Sequence, residues 1–144
     1  MHRLLSVILA ISLAACSASV GANDEVDDAR IQQRDADDVQ QDPYATDTTF
    51  VRGDSLIVKV GYSGGCQNHF FRIVSEVSPI ASPLPAYDLM LIHDANGDSC
   101  EAYIQEERSF DLVPLRTSAS GIMRLFLTVY GSDTPLTPAL EYRY

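Results

Sequence analysis

The chain has 144 residues, with 20 acidic against 10 basic side chains and a formal net charge of −10. That balance, with no phosphate-cradling loop and no basic surface interleaved with aromatics, excludes nucleic acid as a partner. Once the N-terminal segments are set aside, what remains is enough for one small domain.

A short basic start, His2-Arg3, precedes the apolar run "LLSVILAISLAA", which ends at Cys16. The run has the length of a signal-peptide core and is too short to span a bilayer. Its end, "LAAC" at 13–16, resembles the lipobox of bacterial lipoprotein signal peptides, in which a leucine and two small residues precede a cysteine. The resemblance implies cleavage before Cys16 and lipidation of its thiol, so that 1–15 is a leader and several acyl chains hold the protein on a bilayer. The alternative is secretory cleavage after "VGA" at 20–22, which releases a soluble protein. Ser17, by the same resemblance, favours sorting to the outer membrane, with the domain facing the periplasm or the cell surface.

From Asn23 to Thr49, Asp24, Glu25, Asp27, Asp28, Asp35, Asp37, Asp38, Asp42 and Asp47 face only Arg30 and Arg34. High charge with few apolar residues reads as disorder, so 16–49 is expected to be an acidic tether. As a random coil it reaches about 30 Å, more with self-repulsion. An acidic patch for cations or a basic partner is the competing reading of the same run.

From Phe50 to Tyr144 the pattern is β. "SLIVKVGY" puts Leu56, Val58, Val60 and Tyr62 on one face, and "HFFRIVSEV" does the same for Phe71, Ile73 and Val77. "YDLMLIHD", "CEAYIQEE", "GIMRLFLTVY" and "LEYRY" follow, separated by Gly, Pro, Ser and Asp clusters. The expectation is an all-β fold, a single Greek-key (Ig-like) β-sandwich of about six to seven antiparallel strands over 50–144. "SFDLVPL" reads as a helical turn crossing between sheets, with Phe110, Leu112 and Leu115 packed inward. "GYSGG" at 61–65 formally matches a nucleophile elbow, but another strand follows it where that motif needs a helix, and Ser63 has no evident acid–base partners. No enzyme activity and no cofactor is expected.

The segment "HDANGDSC" at 93–100 supports three chemistries. Asp94, Asn96 and Asp98 have the spacing of calcium ligands, but Ser99 and Gln105 stand where an EF-hand needs glycine and glutamate. Cys66, His69, His93 and Cys100 form a set that zinc or copper would accept. Asn96-Gly97 is a two-residue hairpin signal, whose register would pair His93 with Cys100, Leu91 with Ala102 and Leu89 with Ile104. With Cys16 taken by lipid, Cys66 and Cys100 are left as an even pair for a disulfide, the preferred reading in an oxidising compartment. Such a bridge would close a loop of about 35 residues, for about 4 kcal/mol. His69 and His93 then cap the core edge as structural residues. An antiparallel pairing of their strands would bring Cys66, His69, His93 and Cys100 to one end of the sandwich.

The elements "GGCQNH", "HDANGDSC" and "SFDLVPL" are together similar to a group of small bacterial lipoproteins of unknown function, with recurring GGCxxH, GDxC and FDLxxL elements. The resemblance covers most of 64–115 and implies a β-sandwich in the cell envelope. It carries Cys66, His69, His93, Cys100 and Asp111 as the matching positions. The reading is therefore a disulfide-stapled, outer-membrane-anchored module that binds or scaffolds an unidentified envelope protein or ligand. The alternatives are a periplasmic zinc or copper binder and an envelope enzyme inhibitor, the latter making contact through an exposed loop such as "SPIASPLPA" at 78–86.

Overall fold

A computed structural model describes residues 31–33, 41–133, 135–136 and 138–144, the first three by their backbone. The expected leader at 1–15, Cys16 and most of the expected tether lie outside the described residues. The strands are β1 (Ile31–Gln33), β2 (Ala45–Arg52), β3 (Ser55–Gly64), β4 (Phe70–Val77), β5 (Ala86–Asp94), β6 (Ala102–Asp111), β7 (Ile122–Thr128) and β8 (Leu140–Arg143), with one 3₁₀ turn, Val113–Leu115. They form a five-stranded sheet, β1-β4-β5-β7-β8, against a three-stranded sheet, β2-β3-β6. The fold is thus an all-β sandwich, as expected. It departs from a purely antiparallel one, because β1–β4 and β5–β7 are parallel. The β5–β7 pair needs a long crossover, and the chain uses β6 and the 3₁₀ turn in the opposite sheet for it.

Alternation sets the core. Leu56, Val58, Val60 and Tyr62 of β3 meet Phe71 and Ile73 of β4, Leu89 and Leu91 of β5, and Met123, Leu125 and Leu127 of β7. Phe110, Leu112 and Leu115 pack inward as anticipated, while Asp111 accepts the Val113 N–H at 2.9 Å and caps the 3₁₀ turn. Val77, which shares the core-facing phase of β4 by spacing, is 72% exposed, being the last residue of that strand.

Two boundaries move. The domain begins before Phe50: Tyr44 is buried in the core, donates its hydroxyl to the Leu91 carbonyl at 2.8 Å and accepts the Tyr130 N–H at 3.0 Å. β2 follows at once, its β-branched "TDTTFV" overriding the acidic composition that suggested a tether. A bulge at Asp47 shifts its register on β3 between Thr46 and Thr48.

The expected 87–94/100–107 hairpin does not form. Asn96 and Gly97 do take positive φ, 52° and 69°, and Asp98 N–H closes the turn on the Ala95 carbonyl at 2.9 Å. But both edges of β5 are occupied, by β4 and β7, so the turn is a corner that delivers the chain to the other sheet. There β6 pairs with β3 over ten positions, from Ser55↔Asp111 to Gly64↔Ala102. A local turn signal specifies the bend; it does not choose the strand's partner.

Candidate functional site

The end of the sandwich that carries Cys66 and Cys100 is built from two crossings between sheets, β3 to β4 and β5 to β6. In the first, Gly65 takes φ 114°, a conformation costly for other residues. Gly64 lies against His69, where a Cβ would sit 2.4 Å from the ring Nε2. The chain then exposes Cys66, rather than turning it inward, before His69 drops into the core.

Cys66 and Cys100 form a disulfide, Cα–Cα 5.9 Å, which joins the two crossings covalently. Asp98 joins them again. Its Oδ2 accepts the backbone N–H groups of Gly65, Cys66 and Gln67, each at 2.9 Å, and its Oδ1 accepts that of Cys100 at 2.8 Å. Three consecutive amides around one oxygen form an anion-binding nest. These donors, those of Cys100 and Gln67 foremost, hold the carboxyl well below the usual carboxylate range.

The antiparallel β4–β5 register places Phe71 opposite His93, and the two histidines meet as the strand phases implied. His69 Nδ1 lies 2.8 Å from His93 Nε2, His69 Nε2 lies 3.2 Å from Asp98 Oδ2, and His93 Nδ1 lies 3.2 Å from the Asp42 carbonyl oxygen. His93 is fully buried, and its imidazole is held below its ordinary range, chiefly by desolvation. The rings form a stack, Tyr62 on His69 at 4.4 Å, His69 on His93 at 5.0 Å and His93 on Phe71 at 4.4 Å.

Beside the stack, Tyr62 donates its hydroxyl to Glu106 Oε1 at 2.6 Å, and Arg108 binds the same oxygen at 2.7 and 3.0 Å. Burial, then Glu106, raises the Tyr62 phenol above its ordinary value. Arg108 also reaches the His69 carbonyl at 3.3 Å and lies over the Phe71 ring at 5.2 Å. At the entry of the chain, Asp42 donates its N–H to the His93 carbonyl at 2.9 Å, and its carboxylate accepts the Ala95 N–H at 2.7 Å.

Cys66, His69, His93 and Cys100 therefore do gather at one end. Reading the sequence missed Asp98, Asp42, Tyr62, Glu106 and Arg108 as members of the cluster; the glycine pair before Cys66 was the one visible hint of a nest. Turn chemistry accounts for the calcium-like spacing, since Asp94 Oδ1 accepts the Asn96 N–H at 2.8 Å and Asp98 binds the amides named above. Nor are the four Cys and His side chains arranged as the tetrahedral set that zinc or copper would take. The sulfurs are bonded to each other, the facing imidazole nitrogens to each other, and the outer ones to Asp98 and Asp42. Ser63, the formal elbow serine, is an exposed strand residue opposite Tyr103.

No family model and no curated protein matches the chain. Solved structures do. A NigD-like immunity protein from Bacteroides caccae ATCC 43185 superposes with a TM-score of 0.58 at 19% identity, over 80% of this chain and 62% of that one. A toxin-related protein from Parabacteroides distasonis ATCC 8503 gives 0.55 at 17% identity, over 80% and 60%. The chain thus spans about three fifths of the length of each. At these identities the likeness establishes the shared fold.

Proposed function

We propose that the chain is an envelope lipoprotein, anchored through Cys16, whose sandwich is a non-catalytic binding module of the inhibitor or immunity type. The observation that carries this reading is the saturation of its most reactive cluster. Cys66, His69, His93, Asp98 and Cys100 are each engaged with another protein group, so that the cluster presents no free thiol and no unpartnered imidazole. The immunity and toxin-related neighbours support the same class.

For the contact, the β4–β5 connection stands out. Val77 to Tyr87 contains no charged residue in a chain of net charge −10. Ile80 is 51% exposed there, and the loop is closed by Ser78 N–H to the Ala86 carbonyl at 2.9 Å. An uncharged loop pinned at its ends meets a partner at lower entropic cost than a free one.

The test is intact mass and membrane partition of the expressed protein. A lipidated species that moves to the soluble fraction on Cys16→Ala supports the anchor. Recovery of unmodified wild type in the soluble fraction overturns it. Without reductant the domain should resist alkylation at both thiols and retain no metal; full alkylation would overturn the stapled module.

A further inference from the structure

We propose that the His69–His93 pair is an acid-sensitive lock, built to hold three ring protons and not four, which unfastens the disulfide-bearing end of the sandwich on acidification. The inference rests on geometry and stands whether or not Cys16 carries lipid.

The pair is one link in a chain of hydrogen bonds whose two ends can only accept. At one end is the Asp42 backbone carbonyl, 3.2 Å from His93 Nδ1, so that nitrogen donates. At the other is Asp98, kept ionised by four backbone N–H groups, so His69 Nε2 donates to it across 3.2 Å. Between the rings, 2.8 Å separates Nδ1 from Nε2, which leaves room for one proton. Four nitrogens thus hold three protons. The pair bears one positive charge, and Asp98 balances it.

A fourth proton has no place. It would turn two N–H groups against each other at that separation and add a second charge to a buried stack. The charged and titratable groups facing the pair offer little to absorb it. Asp42 spends its carboxylate on the Ala95 N–H at 2.7 Å, and Asp94 spends its own on the Asn96 N–H at 2.8 Å. Glu106 is neutralised by Arg108, whose guanidinium reaches the His69 carbonyl. Tyr62 stacks on His69 and Tyr44 stands edge-on to His93, both with phenols raised by burial, that of Tyr44 to about 12. The depressed imidazole of His93 expresses the same exclusion.

A histidine held below its unfolded value stabilises the closed state above that value, about 6.5, and the contribution is lost as pH falls below it. The Asp98 contribution starts to fall at about pH 5, where the unfolded carboxylate begins to take up protons, so about pH 6.5 to 5 is the window of the histidine pair. When the rings part, the unit formed by the loop around Cys66, the Asp98 corner and their disulfide remains joined to itself. What loosens is its attachment to β5.

The experiment is ¹⁵N spectroscopy of the histidine rings in the full chain at neutral pH, with urea unfolding from pH 7.5 to 5. Expected are three protons over the four ring nitrogens of the pair, with His93 protonated at Nδ1 and the signals assigned apart from those of His2, and an unfolding constant that rises up to tenfold per pH unit below about 6.5, the slope for one proton. His93→Phe, which keeps a ring on Phe71 and cannot titrate, should lose that slope. Two neutral rings at pH 7, or a wild-type unfolding constant that is flat across the window, overturns the proposal. These wild-type readings decide the matter even if His93→Phe fails to fold.

Discussion

Removing the disulfide by Cys66→Ala with Cys100→Ala isolates what the covalent link adds to a junction that hydrogen bonds already hold. The sequence separation is 34 residues. In the chain-entropy model, freeing a loop of that length returns about 13 cal/mol/K to the unfolded ensemble, or about 4 kcal/mol at 25 °C. Against a total of about 5–15 kcal/mol for a domain of ordinary stability, that is a large share. The native state should survive, because Asp98 still receives Gly65, Cys66 and Gln67 from one crossing and Cys100 from the other. The loss then acts through the unfolded chain, which expands and exposes more surface. Urea unfolding followed by far-UV circular dichroism should show a lower midpoint with a larger m-value, and Tm should drop by roughly 15–30 °C. A loss below about 1 kcal/mol with an unchanged m-value would refute the entropic account. It would mean that the nest alone determines the junction.

Gly64→Ala should destabilise by roughly 1–3 kcal/mol and displace His69, whose ring is fixed at both nitrogens and cannot yield to the new Cβ. Gly61→Ala should cost far less: the group it meets is the Tyr103 hydroxyl, at the end of a side chain whose residue is 64% exposed and free to swing away; the urea midpoints of the two variants check the contrast. Asp98→Asn should lower stability at neutral pH, since an amide cannot accept from all five donors. The wild type gains from its ionised Asp98 above about pH 3.9 and loses that gain as pH falls toward the lower folded value. The variant should lack this acid-dependent loss in midpoints measured from pH 5 to 2. Tyr142→Phe deletes a buried hydroxyl that accepts Arg116 Nε–H at 2.8 Å and donates to Asp54 at 3.0 Å, and thermal unfolding should register about 1–2 kcal/mol.

Strand phase was legible because alternation is local. Leu56, Val58, Val60 and Tyr62 face the core as their spacing demands, as do Leu89, Leu91 and His93. For the same reason His69 could be placed with Phe71, and the four-residue Cys/His cluster was foreseeable. Pairing was not legible. Asn96-Gly97 makes the same bend in a hairpin as in a corner, and the choice is made by β4 and β7 taking both edges of β5. β2 was hidden because Asp42 and Asp47 counted toward a charge run, although Asp42 caps Ala95 and Tyr44 enters the core. Asp98 was hidden because three of its donors lie 31 to 33 residues away. "EER" at 106–108 reads as surface, yet Glu106 and Arg108 alternate onto the inner side of β6 and serve Tyr62 and His69.

The placement of so much polarity at one end of a small core has a structural logic. Apolar packing between two sheets is non-directional and tolerates sliding. The strand ladders run within each sheet and do not set the offset of one on the other. The hydrogen-bonded cluster takes Tyr62, Glu106 and Arg108 from the three-stranded sheet, His93 from the five-stranded one, His69 from the crossing just before β4, and Asp42 from the entering chain. Its bonds are short and directional, so they hold at one offset and fail at others. The disulfide and the Asp98 nest then tie together the two crossings at that end. At β8, Arg116 and Asp54 close on the Tyr142 hydroxyl, joining the chain after the 3₁₀ turn, the β2–β3 turn and the five-stranded sheet in the same manner. Alignment of the sheets is thus assigned to polar contacts at specific residues, and cohesion to the leucines between them. An acid-labile histidine pair inside the first of these clusters makes alignment, rather than cohesion, the property that pH would reach first.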